Sequence, residues 1–179
     1  MKRLALLSIG LVAALGLLAC DAGSEGDMVQ HSEAISDCGG FYDAQATTFK
    51  DSLDYCAARR LHWAYDETTG ELRLADKRVL LNCCGDHSID VHLENGVYVV
   101  TERDQPGFGR CGCMCVFDYT AAIQGVPNEA IHLRIEMRVP DWDEVSGQVF
   151  EGTLDLTQGS GVVVIDDTPE DMWCRPDVY

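Results

Sequence analysis

The sequence predicts an all-β protein, an antiparallel β-sandwich of the immunoglobulin-like class, with a closed β-barrel as the alternative. From about residue 61 onward, apolar and polar residues alternate in short runs, which is the pattern of strands with one buried face. Polar turn sequences that contain glycine separate these runs, and no long helical periodicity interrupts them. We therefore expect about eight short strands, preceded by at most one short helix between residues 38 and 60.

The chain begins with the features of an export signal. Lys2 and Arg3 precede an unbroken run of apolar and small residues over positions 4–19, which is too short to be a settled membrane span. The run ends in Leu-Leu-Ala-Cys at residues 17–20, which resembles the lipobox of bacterial lipoproteins. That resemblance implies cleavage before Cys20 and acylation of its thiol, so Cys20 is the predicted lipid attachment site. The alternative is an ordinary cleaved signal peptide, with Cys20 as one more disulfide partner.

The sequence predicts that the chain has three segments and that the protein is located in the cell envelope. The segments are a signal peptide over residues 1–19, a lipidated cysteine and flexible tether over 20–37, and a single cysteine-rich β domain over 38–179. The tether is predicted because its Gly, Ser, Asp, Glu and Ala residues cannot bury enough apolar surface to offset the entropy of ordering. The net charge of −17 makes nucleic acid a poor partner. We expect a lipid-anchored protein of a bacterial cell envelope, facing the periplasm or the cell surface, whose partners are the membrane and an envelope protein.

The first predicted hairpin spans residues 63–74, where two alternating runs flank a polar turn that ends in Gly70. A third, separate strand is predicted over residues 78–84. Asn95-Gly96 then favours a two-residue turn, because both residue types tolerate positive φ, and this turn places Leu93 opposite Tyr98. The further strands are expected over residues 111–119, 131–139, 149–156 and 161–165.

Cysteines are concentrated in the middle of the chain, where five of the nine lie between residues 83 and 115. Without Cys20 eight remain, and an even number in an exported chain predicts up to four disulfides. The candidates are Cys38, Cys56, Cys83, Cys84, Cys111, Cys113, Cys115 and Cys174. Cys38 with Cys56 would close a short amino-terminal loop, and the pairing of the other six stays open. Alternation on the predicted strand 111–119 places its three cysteines on one face.

The same cysteines have an alternative interpretation as a thiolate site for Cu(I) or Zn. Soft thiolates suit both ions, and a triplet on one face converges where its strand bends. The ligands would come from Cys83, Cys84, His87, Cys111, Cys113 and Cys115. The spacing is not the Cys-x-x-Cys pair of ordinary zinc modules and the compartment favours oxidation, so disulfides are preferred and no cofactor is expected. A labile bridge that exchanges with a partner is a third interpretation.

Three short motifs carry a resemblance over residues 72–139. They are Asn-Cys-Cys at residues 82–84, a hairpin that ends in Thr-Glu at 101–102, and Cys-x-Cys-x-Cys-x-Phe-Asp at 111–118. This stretch resembles a group of uncharacterised bacterial envelope lipoproteins, which implies an envelope location and a β fold and implies no activity. The predicted function is a disulfide-stabilised structural or interaction module, with no catalytic residue assigned. The alternatives are a metal-binding envelope lipoprotein and a secreted hydrolase or redox enzyme.

Overall fold

The structure is a computed structural model that describes residues 27–38, 58–143 and 145–167. The strands in these residues are β1 (Asp27–Met28), β2 (His31–Ile35), β3 (Arg59–Asp66), β4 (Glu71–Asn82), β5 (Asp86–Glu94), β6 (Val97–Gln105), β7 (Met114–Ile123), β8 (Ala130–Arg138), β9 (Gly147–Asp155) and β10 (Ser160–Asp166). A single 3₁₀ turn, Leu156–Gln158, joins β9 to β10. Within the same residues, no helix is long and apolar enough to cross a bilayer.

The strands form two sheets that share one apolar core. Sheet 1 has the order β1-β5-β6-β8-β9, and sheet 2 has the order β10-β3-β4-β7-β2. Alternate residues of both sheets point inward and interdigitate, as in other sandwiches. The largest buried side chains include Leu61, Leu72, Leu81, Tyr119 and Ile123 from sheet 2 and Leu133, Ile135, Met137 and Leu154 from sheet 1. The predicted all-β sandwich is confirmed, with two separate sheets in place of one closed sheet.

One strand pair in the described residues differs from the antiparallel expectation. β6 and β8 are parallel, with Val97 opposite His132 and Arg103 opposite Arg138. The cause is the path of the chain, which leaves sheet 1 after β6, crosses to sheet 2 as β7 and returns as β8. Two crossings restore the strand direction, so β8 runs alongside β6 without a hairpin.

The hairpin at Asn95-Gly96 is confirmed in detail. Glu94 pairs with Val97, so the loop has two residues, and both have positive φ, 51° for Asn95 and 82° for Gly96. Leu93 lies opposite Tyr98, as predicted. The turn therefore fixes the register of the longest antiparallel pair of sheet 1.

β4 is one continuous strand where two were predicted. A bulge interrupts its pairing with β7 between Asp76 and Val79, and Arg78 has a φ of 72°. The inward positions are therefore even-numbered before the bulge, as at Leu74, and odd-numbered after it, as at Leu81. Because an inserted residue shifts the alternation by one, the sequence pattern looks like two strands when the backbone makes one.

Part of the predicted flexible tether is ordered, which corrects the prediction for residues 27–35. β1 pairs with the edge of β5 and β2 pairs with β7. Their side chains bury little surface, so the main-chain ladder supplies the stabilisation that composition does not reveal. Glu33 adds a link between the sheets, because its Oε2 accepts a 2.6 Å hydrogen bond from the Ile89 amide of β5. The signal peptide, Cys20, the predicted helix, Cys56 and Cys174 lie outside the described residues.

Candidate functional site at the cysteine end of the sandwich

The predicted strand over residues 111–119 begins later than expected. β7 starts at Met114, opposite Asn82, and residues 111–113 form a bend before it. The Cys83 amide still donates to the Cys113 carbonyl at 3.3 Å, so the ladder between β4 and β7 continues one step into this bend. The three cysteines differ in their environment, because Cys115 is buried in the core while Cys113 is exposed.

Within the part of the chain that the structure describes, three disulfides bind six of the eight candidate cysteines. The pairs are Cys38–Cys115, Cys83–Cys113 and Cys84–Cys111. The expected Cys38–Cys56 pair is wrong. The cause is β2, which runs antiparallel to β7 and leads Cys38 to within 5.5 Å of Cys115, measured between their Cα atoms. That distance is typical of a disulfide.

The other two disulfides lie side by side at the end of β4 and β7. We call their four residues, Cys83, Cys84, Cys111 and Cys113, the cysteine cap. The Sγ atoms of Cys111 and Cys113 belong to different disulfides and lie 3.4 Å apart. The Sγ atoms of Cys83, Cys111 and Cys113 all lie within 4.8 Å of one another. Cys84 and Cys113 are exposed to solvent, so the cap is accessible from outside the sandwich.

The Asn82 side chain fixes the backbone of the cap. Its Nδ2 donates to the carbonyls of Cys111 at 2.8 Å and Cys113 at 3.0 Å. Its Oδ1 accepts from the amides of Cys84 at 3.0 Å and Cys111 at 3.3 Å. One amide group thus satisfies four main-chain groups on two chain segments, and it is itself buried. These bonds hold residues 111–113 in a bend where the sequence predicts a strand.

A buried ionic group lies beneath the cap. Asp104, on β6, is fully buried, and Arg110 donates to its Oδ1 and, at 2.9 Å, to its main-chain carbonyl. Arg110 also binds both carboxylate oxygens of Asp141, in the loop between β8 and β9, at 2.6 and 2.9 Å. Arg110 immediately precedes Cys111, so it ties the cap to sheet 1.

His87 lies in the same buried layer. Its ring meets the Phe117 ring edge-on with a centroid distance of 4.2 Å, and its Nε2 is 3.4 Å from Asp104 Oδ1. Burial lowers the pKa of His87 and the Arg110 charge lowers it further, against the Asp104 charge and a backbone hydrogen bond with Asn82. The imidazole is therefore neutral at pH 7 and acts as packing beneath the cap.

Half of the predicted metal ligands converge. Among the described residues, the ligand atoms of Cys83, Cys111 and Cys113 lie close enough together to hold a metal ion. Cys115 is buried and forms a disulfide with Cys38, and the His87 ring packs against Phe117, so neither is part of this group. A thiolate site at the cap would therefore be built from cap cysteines, and it would require their disulfides to be reduced.

Sequence reasoning missed a second ionic group, inside the sandwich. Arg59 Nη2 lies 2.7 Å from Asp76 Oδ2 and 2.9 Å from Glu102 Oε2, and both carboxylates are at most 2 % exposed. Burial raises the pKa of Glu102 well above its ordinary value, the neighbouring Asp76 raises it further, and Arg59 opposes the rise. A cavity of about 10 Å³, the size of one water, adjoins both carboxylates. Asp76 and Glu102 occupy inward positions on strands whose apolar and polar residues alternate. An acidic residue at an inward position was the sequence signal that could have predicted this ionic group.

Comparisons with known proteins give no relative. No protein-family model matches the chain, and no curated protein and no solved structure matches it either.

Proposed function

We propose that this chain is a lipid-anchored protein of the bacterial cell envelope whose β-sandwich is a disulfide-stabilised interaction module. The lipobox-like Leu-Leu-Ala-Cys at residues 17–20 supports the anchor. The three disulfides support an oxidising compartment. The observation that carries the interaction role is the contrast between the outer faces of the two sheets.

The outer face of sheet 1 is closed by charged side chains. They form the ion pairs Arg103–Asp90, Arg134–Glu94, Arg134–Glu136 and Arg138–Glu136. Val99 and Thr101 point to this same face on β6 and are at most 1 % exposed. Their burial on a solvent-facing surface means that the charged side chains lie across them. We call this surface the closed face.

The outer face of sheet 2 has the opposite character. Its centre consists of small residues, so a shallow depression of about 550 Å³ is left without long side chains across it. We call this surface the open face, and its outward residues are His62, Ala64, Arg73, Ala75, Lys77, Thr120 and Val162. Val162 is 56 % exposed at one border of the depression. An open sheet face with an apolar centre and a polar border is typical of a docking surface.

Charge indicates which partner the open face suits. The chain carries a net charge of −17, but the open face has the cations Arg73 and Lys77 beside its apolar centre. Each is paired with an acid of the same surface, Arg73 with Glu71 and Lys77 with Asp118. Asp118 is buried, whereas Arg73 is 72 % exposed, so the Arg73–Glu71 pair contributes little to stability and the Arg73 guanidinium can bind a carboxylate of a partner instead. We therefore assign the open face to an acidic envelope protein.

The test places a photo-crosslinking residue at position 64 of the exported chain in intact cells. We expect an adduct with one acidic envelope protein, because Ala64 lies on the open face. The single change Arg73→Glu reverses the charge of the exposed cation, and we expect it to reduce the adduct at least about tenfold through like-charge repulsion. Cell fractionation of Cys20→Ser, exported behind a signal peptide that is cleaved without a lipobox, is the accompanying readout, and we expect this variant in the soluble fraction.

The matched control uses the closed face. The crosslinking residue at Thr153, on exposed β9 of sheet 1, is expected to give no such adduct, and Arg138→Glu is expected to leave the position-64 adduct unchanged. Adducts of equal yield from both faces would contradict docking on the open face. Retention of Cys20→Ser in the membrane fraction would contradict the anchor.

A second candidate function is thiolate metal binding at the cysteine cap. The convergence of the Cys83, Cys111 and Cys113 Sγ atoms within 4.8 Å favours it, since soft thiolate ligands suit both Cu(I) and Zn. Native mass spectrometry of the purified exported chain, with alkylation before any reduction, separates the candidates. Free cap thiols with a retained ion would support the metal site, whereas unalkylated cap cysteines without an ion would reject it.

A further inference from the structure

We propose that the cysteine cap is a thiol–disulfide exchange site, in which Cys111 transfers from Cys84 to Cys113 when a small thiol opens the first bridge. The carrying observation is the 3.4 Å contact between Cys111 Sγ and Cys113 Sγ, which belong to different disulfides. Exchange proceeds by attack of a thiolate on a disulfide sulfur, so an attacking sulfur already in van der Waals contact has little distance to travel. This inference goes beyond the interaction role and does not depend on it.

Access alone does not separate the cap from the third described disulfide. Cys84 and Cys113 are exposed, so a small thiol can reach a sulfur of either cap bridge, and Cys38 is exposed as well, although its partner Cys115 is buried. The difference is the contact between the two cap disulfides, because a thiolate released at Cys111 already lies 3.4 Å from a sulfur of the neighbouring bridge. Exchange between the two cap bridges is therefore the step that the geometry favours.

The local backbone permits the new bond. Cysteines two residues apart on a regular strand are near the limit of disulfide reach, but residues 111–113 form a bend held by the Asn82 side chain. Gly112 lies between the two cysteines, and a Cβ at this position would meet no atom within 4 Å. The small ring of a Cys111–Cys113 disulfide can therefore close without displacing neighbouring groups.

The chemistry balances with a monothiol such as glutathione as the reductant. Its thiolate attacks Cys84 Sγ, which forms a mixed disulfide and expels the Cys111 thiolate. Cys111 then attacks Cys113 Sγ, which forms Cys111–Cys113 and expels the Cys83 thiolate. A second monothiol attacks the sulfur of the first and releases Cys84. Two monothiols are oxidised to one disulfide, one protein disulfide is reduced, and the thiol protons pass to Cys83 and Cys84.

The test is the variant Cys84→Ser of the full exported chain, which leaves Cys111 as a free thiol beside the Cys83–Cys113 bridge without any external reductant. We expect intramolecular exchange to Cys111–Cys113 with release of Cys83. Trypsin places Cys83 on the fragment 79–103 and the cysteine triplet on the fragment 111–134. After acid quenching, alkylation and digestion, exchange appears as a free fragment 79–103 with alkylated Cys83, at about one-tenth or more of the total if the two isomers are similar in stability.

Cys38→Ser is the matched control, because it also leaves one free thiol, the buried Cys115. Fragment 79–103 is expected to stay linked to 111–134 in this variant. The inference is overturned if Cys84→Ser releases no fragment 79–103, with Cys111 alone alkylated. A limited reaction of the unmodified chain with glutathione tests the same step where the serine variant fails to fold. A Cys111–Cys113 link with a free Cys83 supports the inference, and opening of both cap bridges without that link rejects it.

Discussion

Replacement of Arg59 by leucine is expected to lower the free energy of unfolding by about 3–5 kcal/mol at pH 7, because it leaves two buried carboxylates without their cation. Arg59 contacts both Asp76 and Glu102, and neither carboxylate is more than 2 % exposed. Urea denaturation of the oxidised protein measures the loss without adding salt that would screen the charges. Leucine replaces the apolar stem of the arginine, so most of the loss is electrostatic.

Arg60→Leu is the control for this prediction. Arg60 is the next residue of β3, is exposed, and points to the other side of sheet 2, so its replacement is expected to change stability by less than about 0.5 kcal/mol. Glu102→Gln removes one of the two competing carboxylates and keeps its shape, and it is expected to cost less than Arg59→Leu. Equal losses in Arg59→Leu and Arg60→Leu would contradict a role for the buried group.

The loss in Arg59→Leu is also expected to depend on pH. Burial, with Asp76 beside it, raises the pKa of Glu102 in the folded state, so folding favours the protonated carboxyl. Such a group stabilises the fold fully below its unfolded pKa, and this contribution is lost as the pH rises through the folded value. Without Arg59 the pKa of Glu102 rises further. The difference in the free energy of unfolding between Arg59→Leu and the unmodified protein therefore shrinks as the pH falls toward 4.5, the ordinary pKa of glutamate. Urea curves of both proteins at pH 7 and near pH 4.5 test this sign.

The alternation of the sequence predicted the strands because it reflects burial, and burial is local to each residue. Ile131, Leu133 and Ile135 are buried on β8 as their pattern indicated. The same pattern failed at Arg78, where a bulge reverses the alternation within one strand. It failed again over residues 27–35, because main-chain pairing with an existing sheet edge leaves no trace in composition.

The candidate site was predictable in its residues but not in its connections. The concentration of cysteines around residues 83 and 111 indicated where the cap would form. Which cysteine pairs with which depends on the register of β4, β7 and β2, and that register is set by contacts far apart in the chain. Asn82 illustrates the difference, since its four hydrogen bonds join residues on both sides of a hairpin and bend a segment that alternates like a strand.

Gly85→Ala is the second prediction with a large expected effect. A Cβ at this position would lie 1.7 Å from Asp104 Oδ1 and 2.9 Å from Arg110 Nη1, distances at which the atoms overlap. The alanine must therefore push a fully buried carboxylate away from its guanidinium partner or displace the chain that follows Cys84. Overpacking and the loss of a buried ion pair together predict a decrease of about 3–5 kcal/mol in the free energy of unfolding, measured by urea denaturation of the oxidised protein.

Gly112→Ala is the matched control within the same cap, since its added Cβ meets no atom within 4 Å, and its expected change is within about 0.5 kcal/mol. Neither glycine lies in the left-handed φ region, so an alanine strains the backbone at neither position. The difference between the two variants therefore measures the steric contact of the added Cβ. If Gly85→Ala costs no more than Gly112→Ala, then Asp104 and Arg110 move aside freely and do not fix the cap to sheet 1. If the loss is as large as expected, the layer beneath the disulfides is rigid. Exchange between the cap cysteines would then occur on a fixed base, with motion confined to residues 111–113.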